Sequence, residues 1–293
     1  MGTDGIVLVD KPADITSRKA VDRVMKALGV KKAGHFGSLD PFATGLLCIG
    51  VGQGTKLLPF LQDHPKEYVA VVGFDRFTDT DDITGAITAE FPDVRVRREA
   101  IEGWFGENRG RIRQVPPAYC AQKHGGRPLY KLRRANQDVS PRPKEVHVFD
   151  AEILDSGNDW ARVRIVCSRG TYIRSIARDL GLHMGVGGYL RELKRTRSEG
   201  FSLQQAHGLD DLKALGERAV VSLADALTFP RARVNKAGEH GIRDGMPIQI
   251  SWVVDDVEAP EGTLVALTDN DGRLLCISRV SRGGGIWGYI ERG

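Results

Sequence analysis

Asp40 is the only acidic residue in the run Gly34-His35-Phe36-Gly37-Ser38-Leu39-Asp40-Pro41-Phe42-Ala43-Thr44-Gly45-Leu46-Leu47. Enclosing a lone carboxylate in apolar surroundings raises its pKa and is costly unless a cation or hydrogen-bond donors compensate. An acid in such a place is therefore either a turn cap or a working group, and as a working group it is a candidate nucleophile. Gly37 and Gly45 permit tight backbone, and Pro41 fixes φ directly after the aspartate and pushes Asp40 toward an extended conformation. The turn is built to present one side chain.

Other residues with chemical potential read two ways when taken alone. His35 precedes Asp40 on the same segment, where a histidine can also simply fix the turn by a hydrogen bond. Tyr68 reads as a strand aromatic packing a core, and Arg174 as an arginine in the first turn of a helix. Thr78-Asp79-Thr80-Asp81-Asp82 is acid-rich but lacks the spacing and closing glutamate of a calcium loop, so it reads as a turn, with Asp82 placed to order a neighbouring site. Cys48, Cys120, Cys167 and Cys276 lie far apart with no C-x-x-C pair, which predicts reduced, buried thiols and no zinc site.

The elements that must position these residues alternate in an α+β manner. Residues 5–9 read as a strand, 17–28 as a helix with Val21, Val24, Met25 and Leu28 on one face and Thr16 or Ser17 as N-cap, and 45–51 as a short buried strand. Residues 66–74 alternate as a strand, 146–154 and 160–167 form a hairpin across Ser156-Gly157-Asn158-Asp159, and 171–184 is a helix carrying Ile173, Ile176, Ala177 and Leu180 on one face.

At 293 residues and 27% charged residues, the chain has the composition of a soluble globular protein. It shows no run long enough to span a bilayer and no basic-then-apolar leader, so a cytoplasmic location is expected. The net charge of +4 is unevenly spread: Arg109 to His147 holds ten Lys/Arg, among them Lys123, Arg133 and Arg134, against two acids. A second basic stretch comprises Arg191, Lys194, Arg195 and Arg197. With Tyr119, His124 and Tyr130 interleaved, these clusters point to an RNA phosphate backbone. From about residue 231 the balance turns slightly acidic, and short apolar runs at 247–254, 263–268, 273–280 and 285–290 predict a small β-barrel, with a boundary near Phe229-Pro230.

The Asp40 segment resembles the catalytic signature of tRNA pseudouridine synthases of the TruB type. Further blocks follow in that family's order: Gly5 to Pro12 with Thr16-Ser17, Lys66-Glu67-Tyr68 leading to Gly73 and Thr78 to Asp81, then Cys167 to Arg174 and Leu190-Arg191-x-Leu193. Departures are mild: Phe36 and Ser38 stand where threonines are usual, and Cys120 and Gln122 differ from the usual residues in the Pro117 to Lys123 stretch. The resemblance implies a mixed or antiparallel sheet catalytic domain over 1–230, with a basic RNA-gripping thumb at about 109–147, and a PUA-like RNA-binding barrel over 231–293. It implies isomerisation of the T-loop uridine at tRNA position 55 after base flipping, with Asp40 as nucleophile, Arg174 as its ionic partner and Tyr68 stacking on the base or serving in C5 deprotonation. His35 would fill the space left by the flipped base, Tyr172 and Leu190 would border the pocket, and Lys123, Arg133 and Arg134 would bind substrate. No metal, cofactor, membrane or obligate protein partner is implied; the expected state is a monomer that contacts the tRNA T-arm, with the acceptor end reached through the C-terminal barrel. A guide-RNA-dependent synthase of the dyskerin type and a non-catalytic tRNA-folding chaperone are the alternative readings. A glycoside hydrolase would need a second carboxylate that the motifs do not show.

Overall fold

A computed structural model describes residues 3–120, 122–129, 132, 139–255, 258–280 and 286–287. The main sheet is built on β1 (Gly5–Lys11), β2 (Thr44–Val51), β3 (Lys66–Gly73), β4 (Gly110–Gln114), β5 (Lys144–Ser156), β6 (Trp160–Cys167), β7 (Tyr189–Ser198) and β8 (His207–Gly208). Its order is β8-β1-β2-β7-β3-β6-β5-β4, with the short strands Ala33–His35, Phe201–Ser202 and Val220–Val221 attached to β2, β7 and β1.

Strands β1 and β2 are apolar at nearly every position because both of their faces are covered. On one face Val7, Val9, Leu47, Ile49 and Val51 pack against Ala20, Val21 and Val24 of helix α1 (Ser17–Leu28). On the other, Ile6, Leu8, Leu46 and Cys48 share one buried cluster with Leu57, Leu61 and Leu227 and with Ala266 and Ile277 from the C-terminal part. Helix α1 begins where the Thr16 hydroxyl accepts from Lys19 N and ends at Gly29, whose φ of 65° is in the left-handed region. In the other half of the sheet Tyr68, Ala70, Val72, Val163 and Ile165 pack against helices α2 (Arg98–Glu107) and α3 (Ile173–Met184) through Trp104, Phe105, Ile173, Ile176 and Leu180. The opposite side of β3 is left open over a groove of about 570 Å³ lined by Phe42, Thr44, Val69, Val71, Arg162 and Lys194.

The two halves join where β2 runs parallel to β7, Thr44 beside Lys194 and Gly45 beside Arg195. The Asp40 segment enters β2 at this seam. Across β7, Arg195 is also the register partner of Tyr68 on β3.

The C-terminal part is a second sheet, β9 (Arg231–Arg233), β10 (Leu264–Thr268), β11 (Leu274–Val280) and β12 (Ile286–Trp287), which is open among the described residues. Two expectations are corrected here. Residues 247–254 hold a short 3-10 turn, Ile250–Trp252, rather than a strand, and the region contains helix α4 (Lys236–Asp244). That helix is closely packed because Trp252 lies against Gly238 and Gly241, where a Cβ would fall 2.7 Å and 2.2 Å from it.

Candidate active site

The backbone on both sides of Asp40 is pinned by buried donors from three elements. From the end of β1, the Lys11 ammonium donates to the carbonyls of Pro12 (2.8 Å), Ile15 (2.9 Å) and Pro41 (3.1 Å). Ser17 Oγ, at the start of α1, donates to Leu39 O at 3.0 Å and accepts from Leu39 N at 2.8 Å. From β7, Arg195 donates to Leu46 O at 2.8 Å, Gly37 O at 3.1 Å and Ser38 O at 3.5 Å. Buried carbonyls need donors, and here two of the three donor side chains, Lys11 and Arg195, are charged. Burial lowers the Lys11 pKa to about 8, with Asp14 and Asp40 acting in the opposite direction.

With its backbone held, Asp40 turns its carboxylate to Arg174 in the first turn of α3. Arg174 Nη2 donates to Asp40 Oδ1 at 3.1 Å, and Nε lies 2.9 Å from Oδ2. The arginine side chain is 6% exposed while Asp40 keeps 35% of its side-chain surface open, so the acid is held from behind and accessible in front. Arg174 is further fixed by the carbonyls of Thr80 (2.9 Å) and Tyr119 (3.0 Å), and it lies 3.5 Å from Asp82 Oδ2. Asp82 in turn accepts from Thr80 Oγ1 (2.8 Å), Thr84 N (2.9 Å) and Thr84 Oγ1 (2.5 Å). The Thr78–Asp82 segment thus is a turn with Asp82 ordering the arginine, as read from the sequence.

Arg174, the ionic partner that the family resemblance implies, does lower the Asp40 pKa, but it is outweighed. In the structure enclosure wins: burial pushes the Asp40 carboxyl up from its ordinary value, Arg174 pulls it back most strongly and Asp82 adds to the rise. Lys11 adds a smaller pull in the same direction as Arg174.

Tyr68 is buried beneath the loop in one cluster with Leu39, Ala43, Leu190 and Leu193. Burial raises its pKa to about 12, with Arg195 acting against the rise, so its phenol is neutral near pH 7. Leu190 is fully buried, and its backbone pairs with Asp81 and Ile83. Tyr172 caps α3; Gln114 brackets its backbone at 2.8 Å and 3.0 Å, and the Lys144 ammonium lies 4.2 Å from its ring centroid. His35 is half-buried on the strand preceding the loop, with its buried Nδ1 unpaired among the described residues. Burial and the cations Arg195, Lys66 and Arg18 lower its pKa. Of the expected substrate-binding cations, Lys123 lies on the short strand Lys123–His124, and Arg133 and Arg134 lie outside the described residues.

One expectation fails outright. Arg195, assigned to a phosphate-binding stretch, is 1% exposed and spends its guanidinium on loop carbonyls. Arg191 is likewise engaged, by Asp75 and Asp159, and Arg109 by Asp150. Sequence reasoning also gave no role to Lys11 or to the buried ion pair of Lys66 and Glu199 (2.9 Å), which lies under Gly37. These contacts are tertiary, made between residues far apart in the chain. All four cysteines are buried and free. Among the described residues no group of three or more His, Cys, Asp or Glu is placed to hold a metal ion.

Residues 25–173 match the family described as TruB family pseudouridylate synthase (N terminal domain), and residues 174–227 match the tRNA pseudouridylate synthase B C-terminal domain. The chain is similar to the tRNA pseudouridine synthase B of Stutzerimonas stutzeri, 38% identical over 96% of this chain and 93% of that one. It is 40% identical to the protein of the same name from Chromobacterium violaceum, over 80% and 78% of the two chains. Among solved structures, an H/ACA RNP bound to a substrate RNA containing 2'-deoxyuridine aligns with TM-score 0.73 at 22% identity, covering 98% of this chain and 84% of that one, a likeness of fold.

Proposed function

The chain belongs to the TruB family of pseudouridylate synthases, which isomerise a tRNA uridine, and from that premise we propose that its target is the T-loop uridine at position 55, attacked by Asp40. The observation that carries this reading is the Asp40 carboxylate, ion-paired from behind by a buried Arg174 and open in front.

The reaction breaks the N1–C1′ bond, turns the uracil and forms C5–C1′, while C5 loses a proton and N1 gains one. Atoms and electrons balance within the nucleotide. What the protein must supply is a carboxylate that adds to the sugar or base, or that assists departure of the uracil anion, and a group that removes the C5 proton. Asp40 serves in the first role and Arg174 keeps it ionised. Tyr68, a neutral phenol under the loop, is the stacking surface for the base; to take the C5 proton it must first give up its own and become the phenolate that Arg195 favours against burial. The uridine must leave the T-loop before it can reach Asp40, and flipping costs a few kcal/mol. His35 occupies the vacated space, Tyr172 and Leu190 border the pocket, and Lys123, Arg133 and Arg134 grip phosphates on a thumb within 109–147.

We divide the chain at residue 230 into a catalytic domain and an RNA-binding C-terminal domain of the PUA type whose barrel is completed by the strands of 231–293, and we place the enzyme in the cytoplasm as a monomer on the tRNA T-arm. No described helix is long and apolar enough to cross a membrane. The test is incubation with an unmodified tRNA transcript, with no guide RNA, followed by mapping of pseudouridine at single-nucleotide resolution. One modified site at position 55 is expected. Modification elsewhere, or only when a guide RNA is added, would refute the reading.

A further inference from the structure

Arg178 lies one turn beyond Arg174 on α3, outside the chain of Asp40, Arg174 and Asp82, and it holds the neighbouring acid of the same loop. Its Nη1 donates to Asp81 Oδ2 at 2.9 Å, and its Nη2 donates to Val115 O at 2.9 Å. Ser175 Oγ donates to the same Val115 carbonyl at 2.8 Å, and Arg174 to Tyr119 O at 3.0 Å. One edge of α3 therefore grips both the loop that bears Asp82 and the stretch from which the basic segment departs.

Asp81 has φ 60°, in the left-handed region, which costs a non-glycine residue about 1 kcal/mol or more and persists only when the surroundings enforce it. In an extended chain adjacent side chains point to opposite sides. Here the Asp81 turn sends two successive carboxylates to two arginines one helical turn apart on the same helix, Asp82 to Arg174 and Asp81 to Arg178. Backbone bonds complete the enforcement: Asp81 O accepts from Leu190 N at 3.1 Å, and Ile83 N donates to Leu190 O at 2.9 Å. The Asp81 carboxylate and Arg178 are both largely enclosed, so their pairing is little screened by water.

We propose that Asp81 and Arg178 form a positioning pair for the isomerisation: together they hold the strained turn in which Asp82 meets Arg174, and so fix the guanidinium that orients Asp40. The proposal rests on Asp40 being the nucleophile. Neither residue touches substrate in this account, so their loss must appear in the chemical step rather than in binding.

The test compares wild type, Arg178→Ala, Arg178→Lys and Asp81→Asn by the single-turnover rate of pseudouridine formation on saturating tRNA transcript, by tRNA Kd and by thermal midpoint. Misplacing a catalytic group by a fraction of an ångström costs about tenfold or more in rate. Arg178→Ala and Asp81→Asn are expected to lose that much with Kd within about twofold of wild type, which together mark a rate effect alone. Arg178→Lys, which keeps a cation within reach of Asp81, is expected to recover most of the rate. Rates of the folded variants within twofold of wild type would overturn the pairing, as would Arg178→Lys performing no better than Arg178→Ala, or a loss confined to Kd. If Arg178→Ala does not fold, the nearly isosteric Asp81→Asn decides alone. A wild type that forms no pseudouridine in tRNA would refute the function itself, whereas active wild type with unaffected variants would refute only this pair.

Discussion

At the scale of single residues, the proposed mechanism gives reactivity to Asp40 and restraint to Arg174. Asp40→Asn keeps size and polarity but removes the charge, so turnover should vanish while the tRNA Kd stays within about twofold, since one uncharged swap removes no phosphate contact. Arg174→Met keeps part of the apolar stem and removes the strongest influence holding Asp40 ionised. The carboxyl's folded pKa is already raised, so the catalytic form is lost as pH falls through it; without Arg174 that loss must occur at higher pH. The residual rate of Arg174→Met should therefore keep climbing with pH where wild type has levelled, and a pH-rate profile identical to wild type would exclude the pairing. The same variant leaves the enclosed Asp82 and the partly open Asp40 without their shared cation, which destabilises the fold while both are charged. Because Asp40 would then have a folded pKa still further above its unfolded one, that deficit is fully present above the folded value and relieved by protonation below it. The gap in thermal midpoint between wild type and Arg174→Met should narrow from about pH 8 to about pH 5.

At the scale of elements, the loop bearing Asp40 is shaped by what lies beneath it. Gly45 has φ 95°, and a Cβ there would fall 2.4 Å from Arg195 O and 2.9 Å from Arg195 N, both backbone atoms of the paired strand. A Cβ on Gly37 would meet the Lys66 ammonium at 2.5 Å, the end of a side chain that can shift at the expense of its bond to Glu199. Gly45→Ala should therefore destabilise more than Gly37→Ala, which falls in the range of about 1–3 kcal/mol for overpacking, and both should lower kcat more than they raise KM. Equal stability of the two variants in denaturant melts would contradict this ranking. The same packing explains what the sequence made legible. Strands β1 and β2, helix α1, the β5–β6 hairpin and helix α3 announce themselves because their buried residues are apolar and periodic. Strand β7 hides because the residue at its buried centre is Arg195, which reads as a surface cation until its partners, the loop carbonyls, are seen. Helix α4 hides because it packs through glycines against Trp252 and shows no apolar stripe of its own. Asp40 could be found from its apolar setting; the groups that hold its backbone, Lys11, Ser17 and Arg195, are brought to it only by the fold.

At the scale of the whole molecule, two features set how the chain meets RNA. Reversing charge at Arg133 and Arg134 should weaken tRNA binding, reduce the salt slope by about one per lost phosphate contact and leave the modified position unchanged; an unaltered salt slope would return those residues to solvated surface. The C-terminal sheet is not an appendage, since Ala266 and Ile277 belong to one buried cluster with Ile6, Leu8 and Leu46 of the main sheet. Truncation after residue 230 would expose that apolar face, and the shortened protein should melt at lower temperature and self-associate; an unchanged melting temperature would show that the sheet contributes no cover. The central claim is that Asp40 drives isomerisation of a tRNA uridine, and it is tested most directly by release of tritium from tRNA carrying [5-3H]uridine, because C5 must lose its hydrogen when it joins C1′. In single turnover, wild type should release the label of one uridine per tRNA and Asp40→Asn none, with tRNA binding retained. Release by Asp40→Asn at a rate near that of wild type would contradict the account.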